Sequence, residues 1–270
     1  MNNDNAERLI ATSHLPENKL KRAIFSYKIP DGTVTELHRL GIIPYFCKGS
    51  GELDERISHH PDMSIFCGGK GRFYARKDCK PLFEEIIKDI EENENAGFSV
   101  EYSKLEQVTR TRPLEYPFDI GYNCFVFQKH LFCGSIIAQE IEDLAQTDEL
   151  KTVRVKQGYV KCSTCIVSKS AIITEDKSVY NAIKNNCKDV DVLYIKKREV
   201  ILEGYDCGFI GGASFKISKD MLAFFGKIEN HSAYSDIKYF CSNHGVNCIS
   251  LSSDSVTDYG GAICITEKTG

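Results

Sequence analysis

The sequence lacks long apolar runs, and this absence excludes several classes of protein. No hydrophobic stretch approaches the roughly 18–20 residues that a membrane-spanning helix needs, so we expect no membrane partner. The opening residues, 1–19, contain no apolar segment of the kind that signal peptides carry. These absences predict a cytoplasmic protein whose thiols stay reduced.

A basic stripe is also missing. Lys and Arg together number 34 against 38 Asp and Glu, and the formal net charge is −4. Nucleic acid is therefore not an expected partner. The densest charge run, residues 84–97, is mostly acidic and is typical of a solvated helix face and its exit. Residues 68–72 are rich in glycine but lack the spacing and the following helix of a phosphate-binding loop, which predicts a hairpin turn.

No linker rich in proline, glycine or serine divides the 270 residues. Hydrophobic residues make up 42% and charged residues 27%, which is ordinary for a soluble globular protein. A chain of this length buries a useful core without disulfides. We therefore expect a single domain over residues 19–270, preceded by a loosely held, flexible leader over residues 1–18.

Cysteine, by contrast, is abundant, with twelve residues. In a reducing compartment most of them act as small buried apolar side chains. Six lie in or beside apolar segments and fit that interpretation: Cys124, Cys133, Cys187, Cys207, Cys241 and Cys248. Cys162 and Cys165 form a Cys-x-x-Cys pair, and a single pair without a second is a weak signal for zinc. We expect no structural disulfide, no metal and no organic cofactor.

One pattern recurs along the chain: an apolar run, a tight turn, a second apolar run, an amphipathic helix and a third apolar run. Four complete copies start about 40–60 residues apart, a period typical of propellers and arrays. A fifth copy is split between residues 260–267 and 21–48. The pattern predicts an α/β fold built from ββαβ units. An ordinary α/β or α+β domain, which also alternates strands and helices, is the alternative.

The five unit starts share a cluster of small or polar residues just before the first apolar run: "HHPD", "GYN", "GYVKCST", "GGAS" and "DYGGAIC". His60 and Asp62 stand two apart at the head of a predicted strand, so their side chains should point to one side. An imidazole can transfer protons near neutral pH, and a carboxylate can bind a cation. The alternative is that His60 caps a strand end and Asp62 begins a turn.

These motifs resemble the pentein fold, the guanidino-group-modifying enzyme superfamily that includes arginine deiminase, agmatine deiminase, dimethylarginine dimethylaminohydrolase and arginine:glycine amidinotransferase. His60-Pro61-Asp62 is similar to its His-x-Asp motif, and Gly211-Gly212 to its Gly-Gly turn. The combination looks closest to an uncharacterised bacterial branch, over roughly residues 20–267. The resemblance implies a five-bladed α/β propeller of ββαβ units with pseudo-fivefold symmetry, closed by strands from both chain ends.

The resemblance also implies a site. The superfamily nucleophile lies two units after the histidine, a count that Cys162 fits. Cys264 is the alternative nucleophile, since it matches a Gly-Gly-x-x-Cys approach. His60 would shuttle protons and Asp62 would hold the guanidinium. The implied function is that of a cysteine-dependent hydrolase or amidinotransferase acting on a small cationic guanidino compound.

Further pocket candidates come from the unit starts. Asn123 could orient a substrate, and Asp206 and Asp258 could each supply a second carboxylate, although Asp and Asn are also common turn formers. Ser214 stands, with Ala213, where active superfamily members carry an acid, and Ile263 replaces a histidine before the terminal cysteine. These departures favour the alternative of a catalytically inactive pentein-fold module that binds a small molecule or a protein. Nothing in the sequence predicts the oligomeric state.

Overall fold

The computed structural model describes residues 6–91, 97–103 and 113–269. The N-terminal part contains strands β1 (Glu7–Leu9), β2 (Leu20–Ser26) and β3 (Ile43–Cys47), with helix α1 (Asp31–Arg39) between β2 and β3. Four complete units follow, and the chain returns to the N-terminal strands at its end.

The four complete units have the same element order. The first has β4 (Ile65–Gly69), β5 (Arg72–Ala75), α3 (Lys80–Glu91) and β6 (Ser99–Tyr102), preceded by a helical turn, α2 (Pro61–Ser64). The second has β7 (Phe125–Phe127), β8 (His130–Cys133), α4 (Gln139–Thr147) and β9 (Lys151–Arg154). The third has β10 (Thr164–Ser168), β11 (Ala171–Thr174), α5 (Lys177–Asn186) and β12 (Asp191–Tyr194). The fourth has β13 (Ser214–Ser218), β14 (Met221–Phe224), α6 (Tyr234–Asn243) and β15 (Asn247–Ser250). The last strand is β16 (Ile263–Lys268).

Each unit forms its own small sheet. The first two strands pair antiparallel as a hairpin, and the third pairs parallel with the second after the helix crosses over. The fifth sheet has the order β1-β16-β2-β3, with β16 antiparallel to β2 and β2 parallel to β3. The predicted ββαβ repeat, including the copy split between the two ends of the chain, is therefore confirmed as five small sheets.

Local sequence explains these elements. In α3 the apolar residues Phe83, Ile86 and Ile90 recur at helical spacing and are buried. Helix α5 begins where the Asp176 side chain accepts hydrogen bonds from the backbone N–H groups of Ser178 and Val179. The predicted hairpin turn at residues 68–72 joins β4 to β5.

Five clusters of the buried core each join two sheets. Phe25 of the split unit packs edge-on against Phe215 and Phe225 of the fourth, with ring centroids 5.2 and 6.2 Å away. Four further clusters join the split unit to the first, the first to the second, the second to the third, and the third to the fourth. Every sheet therefore packs against two others, which fixes the unit starts relative to one another.

Two expectations from the sequence need correction. The leader over residues 1–18 is held where it is described, because β1 pairs with β16 and both Ile10 and Leu15 are buried. His60 and Asp62 do not stand on a strand, since Pro61 begins a helical turn and β4 starts only at Ile65.

Of the acidic run at 84–97, residues 92–96 lie outside the described part of the chain. All twelve cysteines are free thiols. Among the described residues, no helix combines the length and the apolar character needed to cross a membrane.

Candidate active site

The segments that precede the first strand of each unit lie in contact at one place. Cys162 is on the turn before β10, and its carbonyl accepts a hydrogen bond from the backbone N–H of Gly212, before β13. The Gly212 carbonyl in turn accepts hydrogen bonds from Tyr259 and Gly261, before β16. All five units therefore bring residues to a common centre, which is completed by His60, Asp62 and Asn123.

Cys162 lies at this centre between an amide and a carboxylate. Its Sγ is 3.0 Å from Asp62 Oδ2, to which the thiol donates, and 3.0 Å from Asn123 Nδ2, which donates to the sulfur. The Asn123 Oδ1 accepts from the backbone N–H groups of Lys161 and Cys162, at 2.8 and 3.2 Å. Asn123 therefore fixes both the backbone and the side chain of Cys162.

His60 and Asp258 form the second half of the centre. His60 Nδ1 lies 3.6 Å from Asp258 Oδ1, and both side chains are almost fully buried. Asp258 is fixed by the backbone N–H groups of Phe209 and Gly260, each 2.9 Å from a carboxylate oxygen. His60 Nε2 and Asp62 Oδ1 are buried without a hydrogen-bond partner in the described structure. Buried polar atoms are normally paired, so these two are free to bind a ligand.

Burial controls the protonation of the centre. Desolvation raises the pKa of Asp62 to about 7, against the lowering effect of the Lys161 ammonium, and raises the pKa of Asp258 to about 6. Burial, with a smaller effect of the Lys28 charge, lowers the pKa of His60 to about 3. Burial and the two carboxylates raise the pKa of the Cys162 thiol well above its usual value. Without a ligand the centre holds a neutral thiol and a neutral imidazole.

Glycines permit the close approach of these segments. A Cβ on Gly212 would lie 1.9 Å from Asp258 Oδ1, and one on Gly211 would lie 2.3 Å from the Thr164 carbonyl oxygen. Gly260 has a φ of +76°, and a Cβ there would lie 2.5 Å from the His60 Cβ. A side chain at any of these positions would separate the groups of the centre.

The centre opens into a cavity of about 250 Å³. Its buried lining residues include His60, Cys162 and Asp258, which mark the inner end. Exposed residues, among them Asp206, mark the mouth. A cavity of this size accepts a small organic molecule.

The remaining predicted residues lie elsewhere. Ser214 and Cys264 line a separate cavity of about 20 Å³, where Ser214 Oγ donates to the Ile210 carbonyl. Burial raises the pKa of Cys264 to about 12. Cys165 lines this second cavity while Cys162 lines the first, so the Cys-x-x-Cys pair does not form one site.

Three of the grouped residues also form a possible metal site. Ligand atoms of His60, Cys162 and Asp258 all lie within 4.8 Å of one another, and all three residues are buried. Imidazole, thiolate and carboxylate are the ligand types that Zn²⁺ takes, so these side chains fit such an ion.

Two further buried residues, Glu175 and Lys161, contact these segments. Glu175 follows β11, accepts from the Ile210 N–H at 2.7 Å, and has a pKa that burial raises to about 7. Lys161 is buried beside Cys162, and its Nζ lies 3.5 Å from the Gly211 carbonyl oxygen. The sequence shows Lys161 directly before Cys162 in a unit start, where a cation favours a thiolate, but it gives no such signal for Glu175.

A family model matches residues 24–263 and describes a family of unknown function, DUF6873. The chain belongs to the DUF6873 family. No curated protein sequence matches it.

Solved structures resemble this DUF6873 protein over nearly its whole length. An amidinotransferase from Microseira wollei in the saxitoxin biosynthetic pathway has a TM-score of 0.60 at 9% identity, covering 97% of both chains. The inosamine-phosphate amidinotransferase from Streptomyces griseus has a TM-score of 0.60 at 9% identity, covering 97% of this chain and 98% of its own. Agmatine deiminase from C. jejuni has a TM-score of 0.54 at 9% identity, covering 98% of each. The predicted pentein resemblance is confirmed at the level of the fold.

Proposed function

We propose that this DUF6873 protein is a cysteine-dependent hydrolase or amidinotransferase that acts on a small guanidino compound. One observation carries the proposal: the Cys162 thiol lies 3.0 Å from Asp62 Oδ2 in a cavity that His60 and Asp258 also line. Attack on a guanidinium carbon needs a nucleophile and a proton carrier, and two carboxylates beside them would hold the cation.

The two carboxylates explain the preference for a cation. Asp62 and Asp258 are buried, and the Asp258 charge also repels that of Asp62, so in the free protein both carboxyl groups favour protonation. A guanidinium offers two parallel N–H donors that match a carboxylate. Its charge would stabilise both ionised carboxylates, and it would also lower the pKa of Cys162 by opposing their field. Substrate binding would thus prepare the thiolate.

The reaction then proceeds in two displacements. Cys162 Sγ forms a bond to the guanidinium carbon, the bond from that carbon to the leaving nitrogen breaks, and the thiol proton passes through His60 to the leaving nitrogen. Water then forms a C–O bond while the C–S bond breaks, and one water proton returns through His60 to the thiolate. An amine in place of water would form a C–N bond and complete an amidino transfer.

The same proposal includes a closed ring. We propose that the five sheets form a five-bladed propeller with pseudo-fivefold symmetry, closed by β1, β2 and β16. Supporting this, each sheet shares core clusters with two others, and the last pair in the cycle joins the split unit to the first complete unit. In such a ring the unit starts meet near the axis, where the five segments contact one another.

The experiment is a screen of guanidino compounds with product detection by mass spectrometry, on the wild type and on Cys162→Ala. The matched control is Cys264→Ala, a buried cysteine outside the cavity. We expect turnover and a Cys162 adduct in the wild type and the control, and neither in Cys162→Ala. Full turnover by Cys162→Ala would refute the mechanism. Ligands that raise the melting temperature of all three without any product would support the inactive binding module instead.

A further inference from the structure

The fourth unit buries a lysine that the proposed chemistry does not use. Lys216, on β13, is only 2% exposed, and its Nζ donates to the Lys219 carbonyl at 2.9 Å. Within the described ranges of the chain it forms no ion pair with a carboxylate. A buried ammonium is costly without an opposite charge, and burial lowers the pKa of Lys216 to about 8. The groups whose negative charge would stabilise this ammonium are the exposed Asp220 and three thiols, those of Cys165, Cys241 and Cys248.

The strand register places Lys216 and Cys248 on one face of the fourth sheet. Lys216 lies opposite Leu222 on β14, and Leu222 lies opposite Cys248 on β15. Residues opposite each other on neighbouring strands share a face. On this face Leu222 packs in one core cluster with Cys241 of α6, and Cys248 packs against the same cluster. The ammonium and the two thiols therefore lie on the same side of the sheet, under helix α6.

Cys241 and Cys248 are a thiol pair with unequal environments. The Cys241 thiol donates a hydrogen bond to the Cys248 sulfur, and Cys241 is buried whereas Cys248 is half-buried. That hydrogen bond lowers the pKa of Cys248, whereas burial raises it. The Lys216 and Lys238 charges lower it further, and the Glu229 charge opposes them. The same hydrogen bond and burial raise the pKa of Cys241. One thiol can thus ionise where solvent reaches it, while its neighbour keeps its proton.

We propose that Cys248 and Cys241 form a redox site, in which Lys216 stabilises the Cys248 thiolate and hydrogen peroxide converts the two thiols into a disulfide. Neither thiol lines the cavity of the candidate active site, so this site is separate from the guanidino chemistry. It joins helix α6 to strand β15.

The reaction has two steps. The Cys248 thiolate attacks one peroxide oxygen, an S–O bond forms, the O–O bond breaks, and the departing hydroxide takes a proton from solvent to become water. The Cys241 sulfur then attacks the Cys248 sulfur, an S–S bond forms, and the S–O bond breaks. The hydroxide released in this step takes the Cys241 proton and leaves as water. The two sulfurs lose two electrons and the peroxide gains them.

The test treats the reduced protein with a stoichiometric amount of hydrogen peroxide at neutral pH. The remaining thiols are alkylated in denaturant, and disulfides are located by peptide mass spectrometry. We expect the first cross-link to join Cys241 to Cys248. Cys248→Ser should abolish it, and Cys241→Ala should instead accumulate a sulfenic acid at Cys248, which dimedone traps. The matched control, Cys207→Ser, removes the other half-buried thiol and should leave the cross-link intact.

A further variant tests the lysine. Lys216→Met keeps an apolar stem but removes the charge, so less of the Cys248 thiol should be ionised. We expect iodoacetamide to label Cys248 about threefold or more slowly at neutral pH. The matched control, Lys227→Met, removes an exposed charge of the same unit that does not act on Cys248 and should not change the rate.

A natural comparison is the pair Cys47 and Cys79, whose thiols are also in hydrogen-bond contact but are both buried. A first cross-link between those two, or peroxide oxidation that leaves Cys241 and Cys248 reduced, would overturn the proposal. An unchanged labelling rate in Lys216→Met would refute the role of the lysine. Thermal unfolding curves check that each variant folds. If the buried Cys241→Ala did not fold, the wild type and Cys248→Ser would still decide the outcome.

Discussion

The buried carboxyl groups of Asp62 and Asp258 lower the free energy of unfolding at neutral pH. Each has a pKa raised from the usual 3.8, to about 7 and about 6, because burial disfavours the charged form. The folded state therefore keeps protons that the unfolded state has already lost. Stability falls as the pH rises from the unfolded to the folded pKa, and the full cost is present above about pH 7. His60 acts in the opposite direction, since its lowered pKa costs stability as the pH falls below its usual 6.5.

Asp62→Asn should accordingly stabilise the protein, by about 1–3 kcal/mol at pH 8 and by clearly less at pH 5. The amide keeps the shape of the side chain but cannot ionise. Urea denaturation at the two pH values measures the difference. Asp148→Asn is the control, because its exposed carboxylate pairs with Arg72 and has a lowered pKa. That variant should show no gain at pH 8. If Asp62→Asn changed the free energy of unfolding equally at both pH values, or lowered it at both, burial of the charged carboxylate would not be what destabilises the protein.

Turns decide the geometry of the site, and turns were the harder part to predict. Periodicity predicted the hairpins, the crossover helices and the split unit, because apolar spacing reports directly on strands and helices. It misplaced His60 and Asp62, since a strand continued back through Pro61 looks plausible by hydropathy alone. Proline suits the first position of a helical turn, and this shifts the start of β4 to Ile65.

The sequence also could not predict which cavity each side chain faces. Cys162, Asn123 and Asp258 could be grouped because they open their units, and the structure brings them together with His60 and Asp62. Ser214 and Cys264 satisfied the same rule yet line the other cavity. The cavity that a side chain faces depends on the strand register and on the turn before the strand. A shift of one residue turns the side chain to the opposite face of the sheet. No pattern in the sequence measures that register.

At the scale of the element, Gly212→Ala should damage the site more than the fold elsewhere. The new Cβ would lie 1.9 Å from Asp258 Oδ1, so the carboxylate must move. We expect a loss of about 2 kcal/mol or more in unfolding free energy, together with loss of guanidino-ligand binding. Gly32→Ala in α1 is the matched control, with open space around the new Cβ.

The control should be neutral or stabilise the protein by up to about 1 kcal/mol, since alanine favours a helix and restricts the unfolded chain. Urea denaturation and ligand titration on both variants give the comparison. If the two variants had the same unfolding free energy and the same ligand affinity, the position of Asp258 would not depend on the absence of a side chain at residue 212.

Across the whole molecule, the twelve thiols should differ in reactivity according to exposure. All are buried except Cys207 and Cys248, which are half-buried. The thiolate is the reactive form, and Cys162 has a raised pKa in the free protein. Brief iodoacetamide treatment at neutral pH, followed by peptide mass spectrometry, should therefore label Cys207 and Cys248 well before Cys162. Alkylation in denaturant, where all twelve should react alike, is the control. Fastest labelling of Cys162 would mean that its thiolate forms without a ligand.

The sheet shared by both ends of the chain has a consequence for biosynthesis. Glu7 and Thr266 are in hydrogen-bond contact although they are 259 residues apart, and β16 lies between β1 and β2. During translation, β2 and β3 are synthesised long before β16, the strand that pairs antiparallel with β2. Asp258 and Gly260 arrive only with that same late segment. A nascent chain that stops before Asp258 thus has Cys162 but neither the second carboxylate nor the strand that completes the sheet. The group of side chains at this centre is therefore complete only after the segment that precedes β16 has been translated.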